Sequence, residues 1–198
     1  AFAHAIGAVN KHSMTMETSC GLLDAEIVKR GVKVWMPEPN ARNYGLKLPL
    51  PDGTAAEGDF LNTGVPHLVI QVAETAPVNV RELGRALRLH AAFEPDGTNV
   101  NFMTIRKGNR LSMRTYERGV EDESGACGTG AVACAVIAVE KHGCTLPVHV
   151  RTPAGFELII DGDWRSGKCT GLTLTGPVQT VYTGEIDLSA VCLENELE

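Results

Sequence analysis

Residues 131–139 form an uninterrupted apolar run (AVACAVIAV), and this run constrains the fold more than any other stretch of the chain. It lies inside a predicted helix over 129–141, which His142 and Gly143 end with a last-turn cation and a glycine just beyond the helix. A surface helix keeps a polar face for solvent, whereas this one is apolar on every side. We therefore expect it at the centre of the domain, covered all round by other elements.

Strands outnumber helices in the rest of the sequence. A second helix is predicted over 80–90, with Asn79 as N-cap and Glu82 completing a capping-box-like pair. The pattern predicts an α+β fold in which a curved mixed or antiparallel sheet wraps around the central helix. The predicted strands are 14–19, 22–28, 32–36, 67–72, 99–105, 110–116, 148–152, 156–161, 172–175 and 178–182.

Residues 37–58 combine prolines and glycines with broken polar sequence, which predicts either a linker between two lobes or a strap crossing the surface. We expect residues 1–45 to be the remnant of an N-terminal lobe and 46–180 to form a similar C-terminal lobe. Residues 181–198 then form a tail that returns to the first lobe. The chain starts at Ala1 with what reads as the end of a helix, so we expect a truncated or processed chain with an incomplete first lobe.

Composition narrows the class of protein. The 198 residues carry a net charge of −6, which argues against nucleic-acid binding because phosphate recognition needs a clustered basic surface. No apolar stretch approaches the roughly 20 residues that a membrane-spanning helix needs.

The six cysteines include no C-x-x-C pair, so neither zinc nor redox spacing is present. Reduced thiols in a cytoplasmic protein fit this pattern, and we expect no metal.

Cys127 is the strongest candidate for chemistry, because it opens a Cys-Gly-Thr-Gly run directly before the apolar helix. The N-terminus of a helix offers free N–H groups and positive potential, which bind a carboxylate and favour a thiolate. Cysteines in that setting have a depressed pKa. We expect Cys127 to be an exposed, activated thiol that is alkylated ahead of Cys134, which we expect to be a small buried hydrophobe.

Other reactive side chains stand at predicted strand ends. These are the His67 imidazole, the Asn99 and Asn101 amides, the Glu117 carboxylate and the Arg118 guanidinium. Each has an ordinary structural interpretation: a satisfied histidine, turn residues, a surface ion pair. Together with the thiol they suit a small zwitterionic substrate that carries more than one carboxylate.

The stretch over 114–131 (RTYERGVEDESGACGTGA) resembles the second catalytic motif of the diaminopimelate epimerase family. The segments 64–67 (GVPH), 97–102 (GTNVNF) and 175–177 (TGP) recur in that family in the same order. Residues 1–3 (AFA) resemble the sequence just beyond its first Cys-Gly-Asn-Gly motif. The resemblance covers nearly all of the chain and implies the C-terminal two-thirds of such a protein, without the N-terminal part that holds the first catalytic cysteine.

The family resemblance implies a cofactor-independent, two-base epimerisation at the α-carbon of LL- or meso-diaminopimelate. Cys127 would be one acid/base of this reaction. Gly128 and Thr129 would donate backbone N–H groups to the α-carboxylate and stabilise a carbanion-like transition state. His67 and Glu117 would hydrogen-bond near the thiols and the α-amino group.

Asn99 and Arg118 would hold the distal amino and carboxylate end of that substrate, Arg118 bidentately. Val65 stands where many members of the family place a substrate-binding Asn, and Ser124-Gly125 replace a more usual Thr-Leu in a loop one residue longer than the common form. Since one thiol cannot serve both faces of the α-carbon, we expect this chain alone to be inactive.

The resemblance also implies a cytoplasmic enzyme of lysine and peptidoglycan biosynthesis with an amino acid substrate, no cofactor, no nucleic acid and no membrane partner. A homodimer is left open. Three other interpretations stay open as well. They are a related isomerase acting on another amino acid, as in proline racemase-like or phenazine-biosynthesis-like proteins; a thiol hydrolase with Cys127 as nucleophile and His67 as its base; and a non-catalytic remnant.

Overall fold

The computed structural model describes residues 1–18 and 21–185, and its helices and strands follow in chain order. The helices are α1 (Phe2–Ala5), α2 (Val80–Arg88) and α3 (Gly128–His142), with a 3-10 turn at Ala91–Phe93. The strands are β1 (Ser13–Thr18), β2 (Gly21–Val28), β3 (Gly31–Trp35), β4 (Asn40–Pro49), β5 (Ala55–Asn62), β6 (Pro66–Gln71), β7 (Asn99–Arg106), β8 (Arg110–Glu117), β9 (Asp122–Ser124), β10 (Val148–Arg151), β11 (Glu157–Arg165) and β12 (Lys168–Gly176). None of the helices in these ranges is long and apolar enough to cross a membrane.

The strands of the described ranges join in one sheet of order β1-β2-β3-β12-β11-β10-β8-β7-β6-β5-β4, and β9 pairs with β8. Two neighbouring pairs are parallel, β6 with β7 and β8 with β10, and the other pairs are antiparallel. Parallel neighbours need a long crossover connection. Here α2 lies in the connection from β6 to β7, and α3 lies in the connection from β8 to β10.

Helix α3 occupies the centre, as its sequence predicts. Every residue from Gly130 to Val139 is buried, and the helix contacts strands β5 to β8 and β10 to β12. The sheet thus curves around the helix and removes its apolar surface from water on all sides. At its end, Gly143 adopts the left-handed conformation with φ 71°, and the N–H of the next residue, Cys144, donates to Ala138 O at 3.1 Å. The predicted α+β architecture is confirmed.

Helix α2 covers the opposite face of the sheet. Side chains alternate between faces along a strand, so Phe102 and Tyr116 pack in one cluster with Leu87 of α2, whereas Met103 and Met113 pack against α3. The predicted N-cap of α2 is confirmed: Asn79 accepts a hydrogen bond from the Glu82 N–H at 3.4 Å, and its amide donates to the Glu82 carboxylate at 2.8 Å. Each face of the central strands therefore has its own apolar core.

The predicted linker over 37–58 is wrong for most of its length, because β4 and the first residues of β5 lie there. β4 is an edge strand whose register with β5 shifts twice, and Pro49 ends it. Edge strands tolerate bulges and proline, so their sequences lack the regular alternation of a central strand. The expected division at 45/46 falls inside β4, and the assignment of lobes stays a prediction.

The predicted strand over 178–182 is also wrong, since the described sheet ends with Gly176. Val181 and Tyr182 are 87% and 85% exposed, so the residues that the structure describes leave both side chains uncovered. The predicted strand over 14–19 is confirmed as β1, except that Ser19 lies outside the described residues. The same holds for residues 186–198 of the expected returning tail.

Candidate active site

Cys127 is the N-cap residue of α3, and the first turn of this helix forms the floor of the candidate site. Its carbonyl accepts the Ala131 N–H at 3.0 Å, which starts the helix. The N–H groups of Gly128, Thr129 and Gly130 precede this first helical bond, and such first-turn groups have no partner within a helix. The sequence-predicted thiol and the two predicted backbone donors thus lie together on one turn.

The side chains around the sulfur form a chain of contacts. The Cys127 Sγ lies 3.6 Å from the Thr129 hydroxyl, and that hydroxyl lies 2.9 Å from His67 Nε2. The other ring nitrogen of His67, Nδ1, lies 3.1 Å from the Asn101 Nδ2. The Asn101 Oδ1 accepts from the Thr115 hydroxyl at 2.9 Å. His67 is therefore linked to Cys127 through Thr129 rather than by a direct contact.

The pleat of three adjacent strands explains why these side chains meet. His67 in β6, Asn101 in β7 and Thr115 in β8 lie on the face that packs against α3, with Met103 and Met113 further along. Residues two apart on a strand share a face, so the polar group continues the apolar strip at the strand ends near the start of α3. The candidate site is therefore the polar end of the core that lies between the sheet and α3.

Gly130 is required by this packing. A Cβ atom there would lie 2.4 Å from the Asn101 Oδ1 and 3.2 Å from the Cys127 Sγ. The glycine therefore lets the amide and the sulfur approach the helix backbone. The motif's second glycine serves this internal contact in addition to any ligand.

The pKa of Cys127 differs from the sequence expectation of an exposed, depressed thiol. Cys127 is only 6% exposed, and burial raises the pKa of its thiol. The Thr129 hydroxyl and the Gly130 N–H lower it in part, while the nearby Glu117 carboxylate raises it. The depressed pKa was a wrong prediction, because loss of hydration outweighs the donors of the first turn. In this structure the neutral thiol is the resting form.

Burial changes the pKa of His67 in the direction opposite to its effect on Cys127. His67 is fully buried, and this burial lowers its pKa to about 3, with the Arg118 charge adding to the effect. The imidazole is therefore neutral across the physiological range. A cationic His67 that would pair with a thiolate is not the state that this structure favours.

Glu117 is the last residue of β8, and Arg118 follows it in the turn next to the site. The Glu117 carboxylate is close enough to influence the Cys127 thiol, and the Arg118 charge reaches His67. The Asn99 amide is committed to the backbone: its Nδ2 donates to Pro66 O at 2.9 Å and its Oδ1 accepts the Arg118 N–H at 2.9 Å. The structure thus brings Asn99 beside Arg118, as expected, but as a residue that fixes the loop geometry.

A cavity of about 550 Å³ is lined by Pro66 and Arg118, whereas Cys127, His67 and Glu117 do not line it. Arg118 contributes the positive charge of its lining, and Glu94 and Asp96 contribute carboxylates. The Arg118 Nη1 also donates to Asp96 O at 3.4 Å. The cavity can thus offer both signs of charge to a ligand.

The sequence analysis misses Thr115. It counts the Asn101 amide among the candidate polar side chains, with a turn role left open, but gives Asn101 no contact with His67. The sequence did carry a signal, which is the alternation of side chains between the two faces of a strand. Asn101 is two residues from Asn99 and two from Met103, whose side chain faces α3. A buried polar residue on an apolar face needs partners, and both residues have them.

Solved structures define the class of fold. A probable proline racemase from Agrobacterium radiobacter K84 superposes with a TM-score of 0.72 at 18% identity, over 94% of this chain and 64% of that chain. A PhzF-family phenazine biosynthesis protein from Bacillus anthracis superposes with a TM-score of 0.64 at 13% identity, over 89% and 69%. The chain therefore has the fold that these racemase-like and PhzF-like proteins share.

Sequence comparisons narrow the class. Residues 60–181 match the family model described as diaminopimelate epimerase. A diaminopimelate epimerase of Aquifex aeolicus is 42% identical over 93% of this chain and 65% of its own length. A diaminopimelate epimerase of Chlorobaculum tepidum is 35% identical over 94% of this chain and 71% of its own length. The chain belongs to the diaminopimelate epimerase family, and it spans about two-thirds of the length of these two relatives.

Proposed function

We propose that this chain carries one acid/base group, Cys127, of a cofactor-independent epimerase that inverts the α-carbon of diaminopimelate. The observation that carries the proposal is the position of the Cys127 sulfur at the first turn of α3, joined through the Thr129 hydroxyl to His67 and close to Glu117. Relatives that bear the name diaminopimelate epimerase support the reaction class.

In the proposed reaction a thiolate removes the α-proton from one face of the substrate, and a thiol on the opposite face delivers a proton. The C–H bond that breaks is replaced by a C–H bond of opposite configuration, so no redox change occurs. The raised pKa of Cys127 supports the thiol, the proton-donating form, as its resting state. The Gly128 and Thr129 N–H groups would hold the α-carboxylate and stabilise charge that develops on it.

Glu117 and the neutral His67 have separate parts in this proposal. The Glu117 carboxylate would accept a hydrogen bond from the α-ammonium group, whose positive charge would offset the effect of Glu117 on the thiol. His67 would hold the Thr129 hydroxyl that contacts the sulfur. Neither residue needs to take the α-proton itself.

The distal end of the substrate would occupy the cavity beside Arg118. Diaminopimelate carries a carboxylate and an ammonium group at that end, and the cavity lining offers the Arg118 guanidinium together with Glu94 and Asp96. Asn99 would position Arg118 through its backbone N–H. A cyclic amino acid such as proline has no distal charge to engage these groups, which favours diaminopimelate over the substrates named for the structural neighbours.

We also propose that residues 1–198 do not complete the inversion alone. Of the described cysteines, Cys134 is fully buried within the apolar helix, and Cys144 and Cys169 belong to the core. These thiols cannot face a substrate from the side opposite Cys127. In a cell the complete activity would belong to cytoplasmic lysine and peptidoglycan biosynthesis.

The experiment is solvent exchange at the α-carbon. The protein is incubated with meso-diaminopimelate in deuterium oxide, deuterium uptake is followed by mass spectrometry, and configuration is followed by chiral chromatography. We expect Cys127-dependent deuterium uptake with retained configuration, because one sulfur can remove and return a proton on the same face. Cys127→Ala should lower uptake at least about 100-fold. Cys134→Ala, on the same helix, should not.

Each outcome bears on one part of the proposal. Inversion by residues 1–198 would overturn the claim that the chain alone is inactive. Exchange with proline in place of diaminopimelate would favour a related racemase. No exchange and no calorimetric binding of diaminopimelate would favour a non-catalytic remnant.

A further inference from the structure

The Asn101 side chain has a defined orientation, because its neighbours differ in hydrogen-bonding capacity. The Leu68 backbone carbonyl, which can only accept, lies 3.0 Å from the Asn101 Nδ2. The Thr115 hydroxyl donates to the Asn101 Oδ1 from the other side at 2.9 Å. Reversing the amide would place two carbonyl oxygens against each other, so Nδ2 faces Leu68.

The same Nδ2 determines which tautomer His67 adopts. An amide nitrogen donates and does not accept, and it lies 3.1 Å from the His67 Nδ1. Nδ1 must therefore be the ring nitrogen without a proton. Because the fully buried ring is neutral, its one proton is on Nε2.

The proton on Nε2 in turn directs the Thr129 hydroxyl. Nε2–H lies 2.9 Å from the Thr129 Oγ1 and donates to it. The hydroxyl proton is then free to point to the Cys127 Sγ at 3.6 Å. Every donor along this series points from β7 to the sulfur.

We propose that Asn101 is a positioning residue that, through the His67 tautomer, turns the Thr129 hydroxyl towards Cys127 so that it donates to the sulfur and stabilises the thiolate. The inference deepens the proposed function, since a thiolate is the form of Cys127 that removes a proton. It also gives Thr129 two separate roles. Its backbone N–H would bind a carboxylate, and its hydroxyl would donate to the Cys127 sulfur. The sequence analysis assigns only the role of the backbone N–H.

The tautomer can be observed directly by ¹⁵N NMR of histidine-labelled protein without substrate. We expect the His67 ring to show a protonated Nε2 and an unprotonated Nδ1 near neutral pH, assigned by comparison with His67→Gln. A ring protonated on Nδ1, or on both nitrogens, would overturn the proposal.

The effect on the thiol is measured by the pH dependence of Cys127 alkylation with iodoacetamide, read by peptide mass spectrometry. We expect Thr129→Val to shift the midpoint upward by about one pH unit, which is about a tenfold loss of thiolate at neutral pH. Thr129→Ser keeps the hydroxyl and should titrate like the unmodified protein. Asn101→Leu should shift the midpoint in the same direction as Thr129→Val.

Thr115→Val is the matched control for Asn101→Leu. It removes a partner of the same amide but leaves Nδ2 held by Leu68 O and facing His67, so the midpoint should not move. A Thr129→Val midpoint equal to that of the unmodified protein, or an equal shift in Thr115→Val and Asn101→Leu, would overturn the proposal. The Thr129 pair and the NMR spectrum decide the matter even if Asn101→Leu does not fold.

These measurements need no substrate and no turnover. If the protein does not exchange the α-proton of diaminopimelate with solvent, that result counts against the proposed function but not against the hydrogen-bond series. A wrong tautomer would count against the series without touching the reaction.

Discussion

His67 Nε2 lies 2.9 Å from the Thr129 hydroxyl, and this contact joins strand β6 to the first turn of α3 across 62 positions of the chain. It sets a buried imidazole between two parts of the candidate site. Because His67 is buried and neutral, it has consequences for stability that can be measured apart from activity.

The free energy of unfolding should fall as the pH is lowered, because His67 is buried in its neutral form. Its pKa is lowered to about 3 in the folded protein, while the unfolded chain takes up the proton near pH 6.5. Below about pH 6.5 the unfolded state therefore binds more protons, and this group lowers the free energy of unfolding by up to about 1.4 kcal/mol per pH unit until about pH 3. Urea unfolding at several pH values should show a shallower loss in His67→Gln. The exposed His12→Gln should keep the original slope, and equal slopes in both variants would contradict the prediction.

Gly130→Ala should destabilise the protein by about 1–3 kcal/mol, because the new Cβ would meet the Asn101 Oδ1 at 2.4 Å in a side chain that three hydrogen-bond partners hold in place. Gly125→Ala is the matched control just before the motif. Its Cβ would meet Ala154 at an ordinary 3.5 Å, so the change in unfolding free energy should stay within about 0.5 kcal/mol. Urea unfolding compares the two, and a neutral Gly130→Ala would show that the amide can move.

Glu140→Gln should cost about 3 kcal/mol, since Glu140 holds the edge strand β4 against the end of α3. Its side chain is 4% exposed, and it binds Arg42 at 3.1 Å, the Tyr44 hydroxyl and the Cys169 N–H at 3.0 Å. Removing the charge leaves the Arg42 guanidinium, whose side chain is 19% exposed, without its counter-charge. Thermal or urea unfolding measures the loss.

The control for Glu140→Gln is Asp122→Asn. Its partner Arg81 has a side chain that is 77% exposed, and exposed pairs contribute less than about 1 kcal/mol. Equal effects of the two substitutions would mean that burial does not set the strength of the Glu140 pair.

Alkylation of Cys127 should be slow at neutral pH and rise as pH increases beyond the range of an ordinary cysteine, because burial raises the pKa of its thiol. Cys134 should react only on unfolding, since it is fully buried and burial raises the pKa of its thiol as well. Iodoacetamide labelling followed by peptide mass spectrometry ranks the two thiols. Faster labelling of Cys127 at neutral pH than of a free cysteine peptide would contradict the raised pKa.

The candidate site was recoverable from sequence only in part. The motif 127–130 located the thiol and the donors of the first turn, and His67, Glu117 and Arg118 do lie near it. Asn101 and Thr115 were not recovered as partners, because their function depends on which strands are neighbours. The pairing of β7 with both β6 and β8 is a long-range property that no local pattern states.

The sequence by itself determined the central position of α3 and the cap of α2, since both depend on periodicity and on short-range hydrogen bonds within one segment. Tertiary structure alone decided that 40–49 is a strand, that the Asn99 amide serves the backbone, and that the Cys127 pKa is raised rather than depressed. The physical reason is the same in each case. Edge pairing, amide partners and loss of hydration all come from residues distant in the chain, and they can outweigh the preference of the local segment.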